Sequence, residues 1–378
     1  MEDIYSFITN NGENLAIALS LVAIISGAAM WLLDGRYMRV KGEVKPAPPY
    51  DEDRREGTSA FKPSAIANHL EPPVVSIIVT CHNQAEEVKS MVQEIFKQDF
   101  SRYEIVVVDM ASTDNTADVI RVLSEDHKNV RHTFVPASTI CVNHDYLALV
   151  LGLRLSRTPW VLFLPVGATF SRPDSLRQIS SYLDDEHDFA LIFANSRSSY
   201  NGRQERRIAW RSFLLQMRTW HTANSNPLPW SGSSIVAMRK SVFIKSGGLE
   251  TPNAKGMRPL DAIIAELSMP YRNLVIKNPA TVVNISPDQC PSLTTRRMLG
   301  SKSAKKLMAH LVLSRIAFFI GILCSLVLAA GLTFNLSYGI VPSVPEIILI
   351  SLGIISIISV IITIAVVKQR TFRVFTSC

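Results

Sequence analysis

At 378 residues the chain is long enough for two average domains, yet 47% of its residues are hydrophobic while 19% are charged. With a mean hydropathy of +0.18, that mixture describes a soluble part joined to apolar spans and excludes a uniformly polar or disordered chain. The formal net charge of +7 suits nucleic acid, an anionic membrane surface or a phosphorylated ligand, so its location has to decide. The five cysteines, Cys81, Cys141, Cys290, Cys324 and Cys378, are scattered and odd in number, which excludes a disulfide framework and a paired-cysteine zinc site and points to a reducing compartment.

Residues 1–14 form a short N-terminal stretch, and Leu15–Leu33 is an apolar run of the length that crosses a bilayer as a helix. The acidic Glu2, Asp3 and Glu13 before it argue against a cleaved leader, whose first residues are basic. Residues 34–73 read as a linker, rich in Pro, Asp, Glu, Arg and Ser from Lys45 onward. Residues 74–300 read as the folded domain and 301–315 as a basic juxtamembrane segment. The spans 316–334 and 347–367 follow, joined by a short hairpin with Asn335, Pro342, Pro345 and Glu346, and then a tail over 368–378. Basic clusters at Arg36–Lys45, Arg296–Lys306 and Lys368–Arg373 fall on one side of three spans. The positive-inside rule makes that side cytosolic, so the expectation is a multi-pass protein of the inner (plasma) membrane with an extracytosolic N-terminus and a cytosolic main domain.

Within the domain, Val74–Thr80 is an apolar, β-branched run suited to a strand buried on both faces, and Ala85–Gln98 carries helical spacing in Val88, Met91, Val92, Ile95 and Phe96. A second buried strand, Tyr103–Val108, ends at Asp109. The spacing then predicts a turn over Ala111–Asn115, a helix over Thr116–Ser124, a strand over His132–Val135, a helix over Asp145–Leu155 and a strand over Trp160–Leu164. Such alternation argues for an α/β domain with a mostly parallel sheet. Ligands of these sheets sit outside the carboxyl ends of the strands, here Thr80–Asn83, Asp109–Asn115 and Pro165–Ala168.

Val75-Ser-Ile-Ile-Val-Thr-Cys-His-Asn83, Gln98-Asp-Phe100, Tyr103-Glu-Ile-Val-Val-Val-Asp109 and Ser112-Thr-Asp-Asn-Thr116 occur in this order and spacing. Together they resemble the opening of a family 2 glycosyltransferase with a GT-A, Rossmann-related fold. The resemblance implies a UDP- or GDP-sugar donor, with Thr80, His82 and Asn83 in the loop beside the nucleotide, Asp109 meeting the base and Asp114 in the turn that follows. An Asp at a strand end can accept a hydrogen bond from a uracil or guanine N–H; the competing reading is that Asp109 and Asp114 cap the helix from Thr116. Further on, Trp230–Ser234, Ala237–Ser241 and Ser246–Leu249 resemble the acceptor side of the family. Asp261 falls where the family places its catalytic base, which takes a proton from the acceptor hydroxyl; otherwise it is an exposed acid near a helix start.

The pattern breaks after Leu164, where the family's metal-holding Asp-x-Asp pair is replaced by Pro165-Val-Gly-Ala168. The family implies Mg or Mn, but hard cations take oxygen ligands, and none of these side chains carries one. Met110 replaces a further family Asp, and Thr294-Thr-Arg-Arg-Met298 keeps only the Arg of the Gln-x-x-Arg-Trp stretch found in processive members. Arg297, with Arg296, is the candidate for neutralising a diphosphate, or else a juxtamembrane cation. The basic, aromatic stretch from Arg206 to Trp220 is either an interfacial helix on the inner leaflet or an amphipathic helix packed on the domain. No nucleic-acid-binding motif accompanies it.

Three functions follow. The first is an inner-membrane glycosyltransferase acting on a membrane-lipid, lipid-linked or envelope glycan acceptor. The second is an inactive relative serving as a scaffold or partner among envelope-glycan assembly proteins. The third, a transporter subunit, is disfavoured because the spans carry almost no ionisable residue besides Arg315.

Overall fold

The computed structural model describes residues 17–29, 74–137, 144–196, 203–223, 235–245, 259–266, 272–286, 289 and 302–337, with single positions between 347 and 365. The chain divides into two compact units, Met1–Val40 with Lys305–Arg373, and Lys41–Ala304 with Val374–Cys378. In chain order the elements are α1 (17–29), β1 (Val75–Cys81), α2 (Ala85–Phe96), β2 (Tyr103–Asp109), α3 (Thr116–Asp126), β3 (Val130–Phe134), α4 (His144–Leu155), β4 (Trp160–Phe163) and β5 (Thr169–Phe170). They continue with α5 (Ser175–Ser180), β6 (Phe189–Ile192), β7 (Ala194–Ser196), α6 (Arg203–Ala223), β8 (Ile235–Arg239), α7 (Lys240–Lys245), α8 (Pro259–Glu266), β9 (Asn273–Val275), β10 (Val283–Ile285) and α9 (Lys302–Ser337).

The larger unit is the α/β domain expected from the sequence. Its seven-stranded sheet has the order β3-β2-β1-β4-β8-β6-β9. The pairs β1–β2, β1–β4, β2–β3 and β6–β9 are parallel, whereas β8 runs against both β4 and β6. Strands β1 and β2 are buried along nearly their whole length and mostly apolar because helices cover both faces. On one face Val88, Met91, Val92 and Ile95 of α2 and Ile120 and Leu123 of α3 join Ile77, Val79, Ile105 and Val107 in the main core. On the other, α4 lies close against β1 and β2 because of Gly152, where an added Cβ would stand 2.7 Å from Ile78 Cγ2 and 3.3 Å from Val108 Cγ2.

Strands β5, β10 and β7 form a second, three-stranded sheet. They continue from β4, β9 and β6, so this sheet lies beyond the carboxyl ends of those strands. Asn195 Nδ2 donates to Asn284 Oδ1 at 3.0 Å, and Asn284 Nδ2 donates to Ser171 Oγ at 3.2 Å, tying its strands through buried amides. The fully buried Gln216 of α6 clasps the backbone of Ala194: its Oε1 accepts the amide at 2.9 Å and its Nε2 donates to the carbonyl at 2.7 Å. Phe193 meets Trp220 edge-on at 5.9 Å, and Phe213, Met217 and Trp220 are all buried. Of the two readings of this basic, aromatic stretch, the structure has the helix packed on the domain, with Arg207 and Arg211 outward.

At the amino ends of the strands a polar cluster closes the sheet. Glu104, on β2, is buried, accepts from Ser76 Oγ at 2.5 Å and from the Arg157 amide at 2.6 Å, and lies 3.8 Å from Arg131 Nη1. These bonds satisfy a carboxylate that would otherwise be costly to bury.

In the smaller unit, Ala23 of α1 packs with Cys324 of α9, Leu19 and Ile361, and Ala317 of α9 packs with Ala29, Phe318 and Ile361. The Ser26 hydroxyl donates to the Ala317 carbonyl. Small and large apolar residues share these contacts, while Ile25, Phe319, Leu323 and Leu326 are more than 60% exposed, at 66%, 68%, 63% and 62%. Among the described residues no helix is long and apolar enough to cross a membrane. The run expected at 316–334 falls within α9, which also takes in most of the segment expected as a separate juxtamembrane stretch at 301–315. The linker expected at 34–73 lies outside the described residues, as do Trp230–Ser234, Ser246–Leu249 and Arg297.

Candidate functional site

The carboxyl ends of β1 and β2 lie side by side in parallel register, Cys81 against Asp109. The Met110 amide donates to the Cys81 carbonyl at 2.9 Å, carrying the ladder one residue past the strand. Both chains then turn sharply through left-handed backbone, Asn83 with φ 53° and Ala111 with φ 55°. Asn tolerates this region through its short polar side chain, whereas alanine there is strained. Two loops thus leave adjacent strands and face each other.

Side chains stitch them together. His82 Nδ1 lies 2.8 Å from the Met110 carbonyl, which can only accept, so Nδ1 carries the proton. In the neutral ring Nε2 is then the acceptor, and Asn83 Nδ2 stands 3.2 Å from it as donor. Asn83 Oδ1 accepts from the Thr113 amide at 2.7 Å, and the Asn83 amide donates to Ser112 Oγ at 2.9 Å. Ser112 in turn donates from its amide to Asp109 Oδ1 and Oδ2 at 3.2 and 3.3 Å, and from its hydroxyl to Oδ1. The Gln84 amide donates to Thr116 Oγ1 at 3.0 Å.

The structure separates two roles that the sequence left competing. Asp114 Oδ1 accepts from the amide of Thr116, the first residue of α3, at 3.0 Å, which fixes the turn leading into the helix; the N-cap position itself is Asn115, whose side chain makes no capping bond. The Thr116 hydroxyl first, and its amide after it, lower the Asp114 carboxyl from its ordinary value. Asp109, only 7% exposed, instead anchors Ser112 within its own loop. A carboxylate has about four lone-pair sites, so Asp109 keeps acceptor capacity for a ligand N–H. Beside it the Cys81 thiol is pushed up to about 12, first by burial and then by the charges of Asp109 and Asp114. It is therefore an inert core group and not a nucleophile.

Of the residues singled out from the sequence, Thr80, His82, Asn83, Asp109 and Asp114 come together in this loop pair, Thr80 half-buried beside Val108. Asp261 lies in the first turn of α8, a helix that packs against α4. It is 5% exposed, so it is not the exposed acid that was the alternative reading. Sequence reasoning quoted Ser112 only as part of a motif and missed its grip on Asp109. Gln98, also read as motif, is structural: its side chain donates to the Arg172 carbonyl at 3.0 Å and accepts from the Leu176 amide at 3.1 Å, fixing the start of α5.

A divalent cation on a donor diphosphate would need oxygen ligands at the end of β4. The turn there is closed by the Ala168 amide donating to the Pro165 carbonyl at 3.1 Å, with Val166 and Ala168 buried in the main core. Gln289 donates from Nε2 to the Val166 carbonyl and accepts the Ser286 amide at 3.2 Å; nothing in the sequence signalled this residue. Among the described residues no group of three His, Cys, Asp or Glu side chains could hold a metal ion. The residues present do not fit a magnesium or manganese site.

In an α/β domain of this kind ligands sit at the carboxyl ends of the strands, where the loops after β1 and β2 gather their polar side chains. Residues 76–245 match the family described as Glycosyl transferase family 2. The chain is 23% identical over 128 residues to a PGL/p-HBAD biosynthesis glycosyltransferase of Mycobacterium bovis (strain BCG / Pasteur 1173P2), covering 32% of this chain and 46% of that protein. It is 22% identical over 178 residues to an uncharacterized glycosyltransferase of Haemophilus influenzae (strain ATCC 51907 / DSM 11121 / KW20 / Rd), covering 47% of this chain and 57% of that protein. The chain thus spans about half the length of the curated relatives it matches. Among solved structures, the mannosyltransferase PcManGT from Pyrobaculum calidifontis, in complex with GDP-Man and Mn2+, is 17% identical with a TM-score of 0.47, over 93% of this chain and 98% of that one.

Proposed function

We propose that the protein is a membrane-bound glycosyltransferase that moves a sugar from a UDP- or GDP-sugar to a lipid-linked or cell-envelope glycan. The observation that carries this reading is the Asp109–Ser112–Asn83–His82 bond chain at the carboxyl ends of two parallel strands, inside the segment that matches the family. Asp109 receives the base N–H, while the His82–Asn83 loop forms the adjoining wall. Asp261 deprotonates the acceptor hydroxyl, provided that acceptor binding opens its surroundings. Arg297 neutralises the leaving diphosphate.

Membrane attachment is supported by the large apolar side chains that the smaller unit exposes, among them Ile25, Phe319, Leu323 and Leu326. Water disfavours that pattern and lipid favours it. The basic clusters, by the positive-inside rule, favour a main domain in the cytosol at the inner membrane, where nucleotide sugars and lipid-linked acceptors meet.

Calorimetry of UDP and GDP on the detergent-purified chain tests the reading. Micromolar binding that is lost in Asp109→Ala is expected; absence of binding to wild type overturns it. A second reading, an inactive glycosyltransferase-like scaffold or partner in envelope polysaccharide assembly, is favoured by the carboxylate-free Pro165–Ala168 turn. It predicts intact membrane integration with no sugar transfer.

A further inference from the structure

We infer that the donor site at the end of β4 takes its nucleoside diphosphate without a divalent cation, and that Gly167 is the backbone position at which cation dependence can be installed. The inference rests on the nucleotide-sugar reading above and concerns the same site.

The argument is an inventory of oxygens, because magnesium and manganese are held by oxygen ligands. The side chains of Pro165, Val166, Gly167 and Ala168 supply none. Two of the turn's carbonyls are already engaged, Pro165 by the Ala168 amide and Val166 by Gln289. Val166, at 5% exposure, and Ala168, at 2%, send their side chains into the core, so the turn is a closed, packed structure and not an open loop awaiting a ligand. The nearest carboxylates of the loop pair lie two strands away, beyond β1, where Asp109 bonds Ser112 and Asp114 bonds Thr116.

Gly167 is the exception. It is exposed, has φ +77°, and an added Cβ would meet nothing within 4 Å. Asp and Asn are the side-chain-bearing residues that best accept this conformation. A carboxylate there would project into open space, and one at position 165 would complete a pair two residues apart.

The test uses the full chain in detergent, titrated with UDP and with GDP in excess EDTA and again in manganese, with manganese EPR as a second readout. Wild type is expected to bind with dissociation constants that agree within about twofold in the two buffers, and to immobilise no manganese when nucleotide is present. The Pro165→Asp, Gly167→Asp double variant is expected to bind manganese with nucleotide, tightening nucleotide about tenfold or more. Pro165→Ala with Gly167→Ala, the control that adds no oxygen, is expected to show the same indifference to manganese as wild type. Wild-type binding that requires manganese overturns the inference while leaving the nucleotide site intact. A double variant that holds no more manganese than wild type overturns the assignment of Gly167. Failure of wild type to bind in either buffer overturns instead the nucleotide-sugar reading on which the inference rests.

Discussion

Ser112 holds the Asp109 carboxylate from both its amide and its hydroxyl, the amide reaching the two oxygens at 3.2 and 3.3 Å. The residue that the sequence marks for base recognition is therefore oriented before any ligand arrives. Ser112→Ala removes the hydroxyl contact and leaves the amide. Nucleotide affinity is expected to fall about three- to tenfold, with a stability loss of about 1 kcal/mol. Calorimetry together with urea unfolding checks both numbers, and an unchanged affinity would show that this orientation is irrelevant to binding.

Asn83 combines a left-handed backbone with bonds to Thr113 and Ser112. Replacing it separates the two contributions. Asn83→Gly loses the side-chain bonds and keeps an easy φ; Asn83→Ala loses the bonds and adds strain of about 1 kcal/mol. The alanine variant should thus be the less stable, the reverse of the usual order for these two residues. Denaturant midpoints decide it.

Glu104 and Asp109 stand at opposite ends of β2. Glu104→Ala strips partners from Ser76 Oγ, the Arg157 amide and Arg131, and is expected to cost about 2–4 kcal/mol. The folded fraction should bind nucleotide like wild type, since the loss is at the far end of the sheet. Weakened binding in fully folded variant would show that the two ends are coupled.

The Cys81 thiol is raised from 9.0 to about 12 in the folded chain. A thiol whose folded pKa lies above its unfolded one stabilises the fold fully below the unfolded value, and that contribution is lost as pH rises through the folded one. Cys81 should therefore add alkaline sensitivity between about pH 9 and 12, reduced in Cys81→Ala relative to wild type. Site-resolved mass spectrometry after alkylation at pH 8 should find Cys81 unmodified until denaturant is added; labelling of the native protein would contradict its burial.

Much of this was legible along the chain. The first four strands of the large sheet and the helices between them fall within about two residues of their expected places, because buried β-branched runs and 3.6-residue periodicity are signals carried by single elements. Strands β6, β7, β9 and β10 were not foreseen. They are three or four residues long, too short for a period to show, and are strands only because a neighbour offers its backbone. The pairing of Ala194 with Gln216, and of Val166 with Gln289, gave no local sign for the same reason.

The sequence by itself determined the α/β class, the two strand ends where ligand loops emerge, and the absence of carboxylates between Pro165 and Ala168, since each is written in contiguous residues. Only the tertiary structure decided that Asp114 bonds the first amide of α3 while Asp109 is held by Ser112, that the helix from Arg203 to Ala223 buries Phe213 and Trp220 in the domain, and that Asp261 is enclosed on α8. Those outcomes depend on which partners segments far apart in the chain bring within hydrogen-bonding or packing distance, and a linear pattern carries no record of that competition.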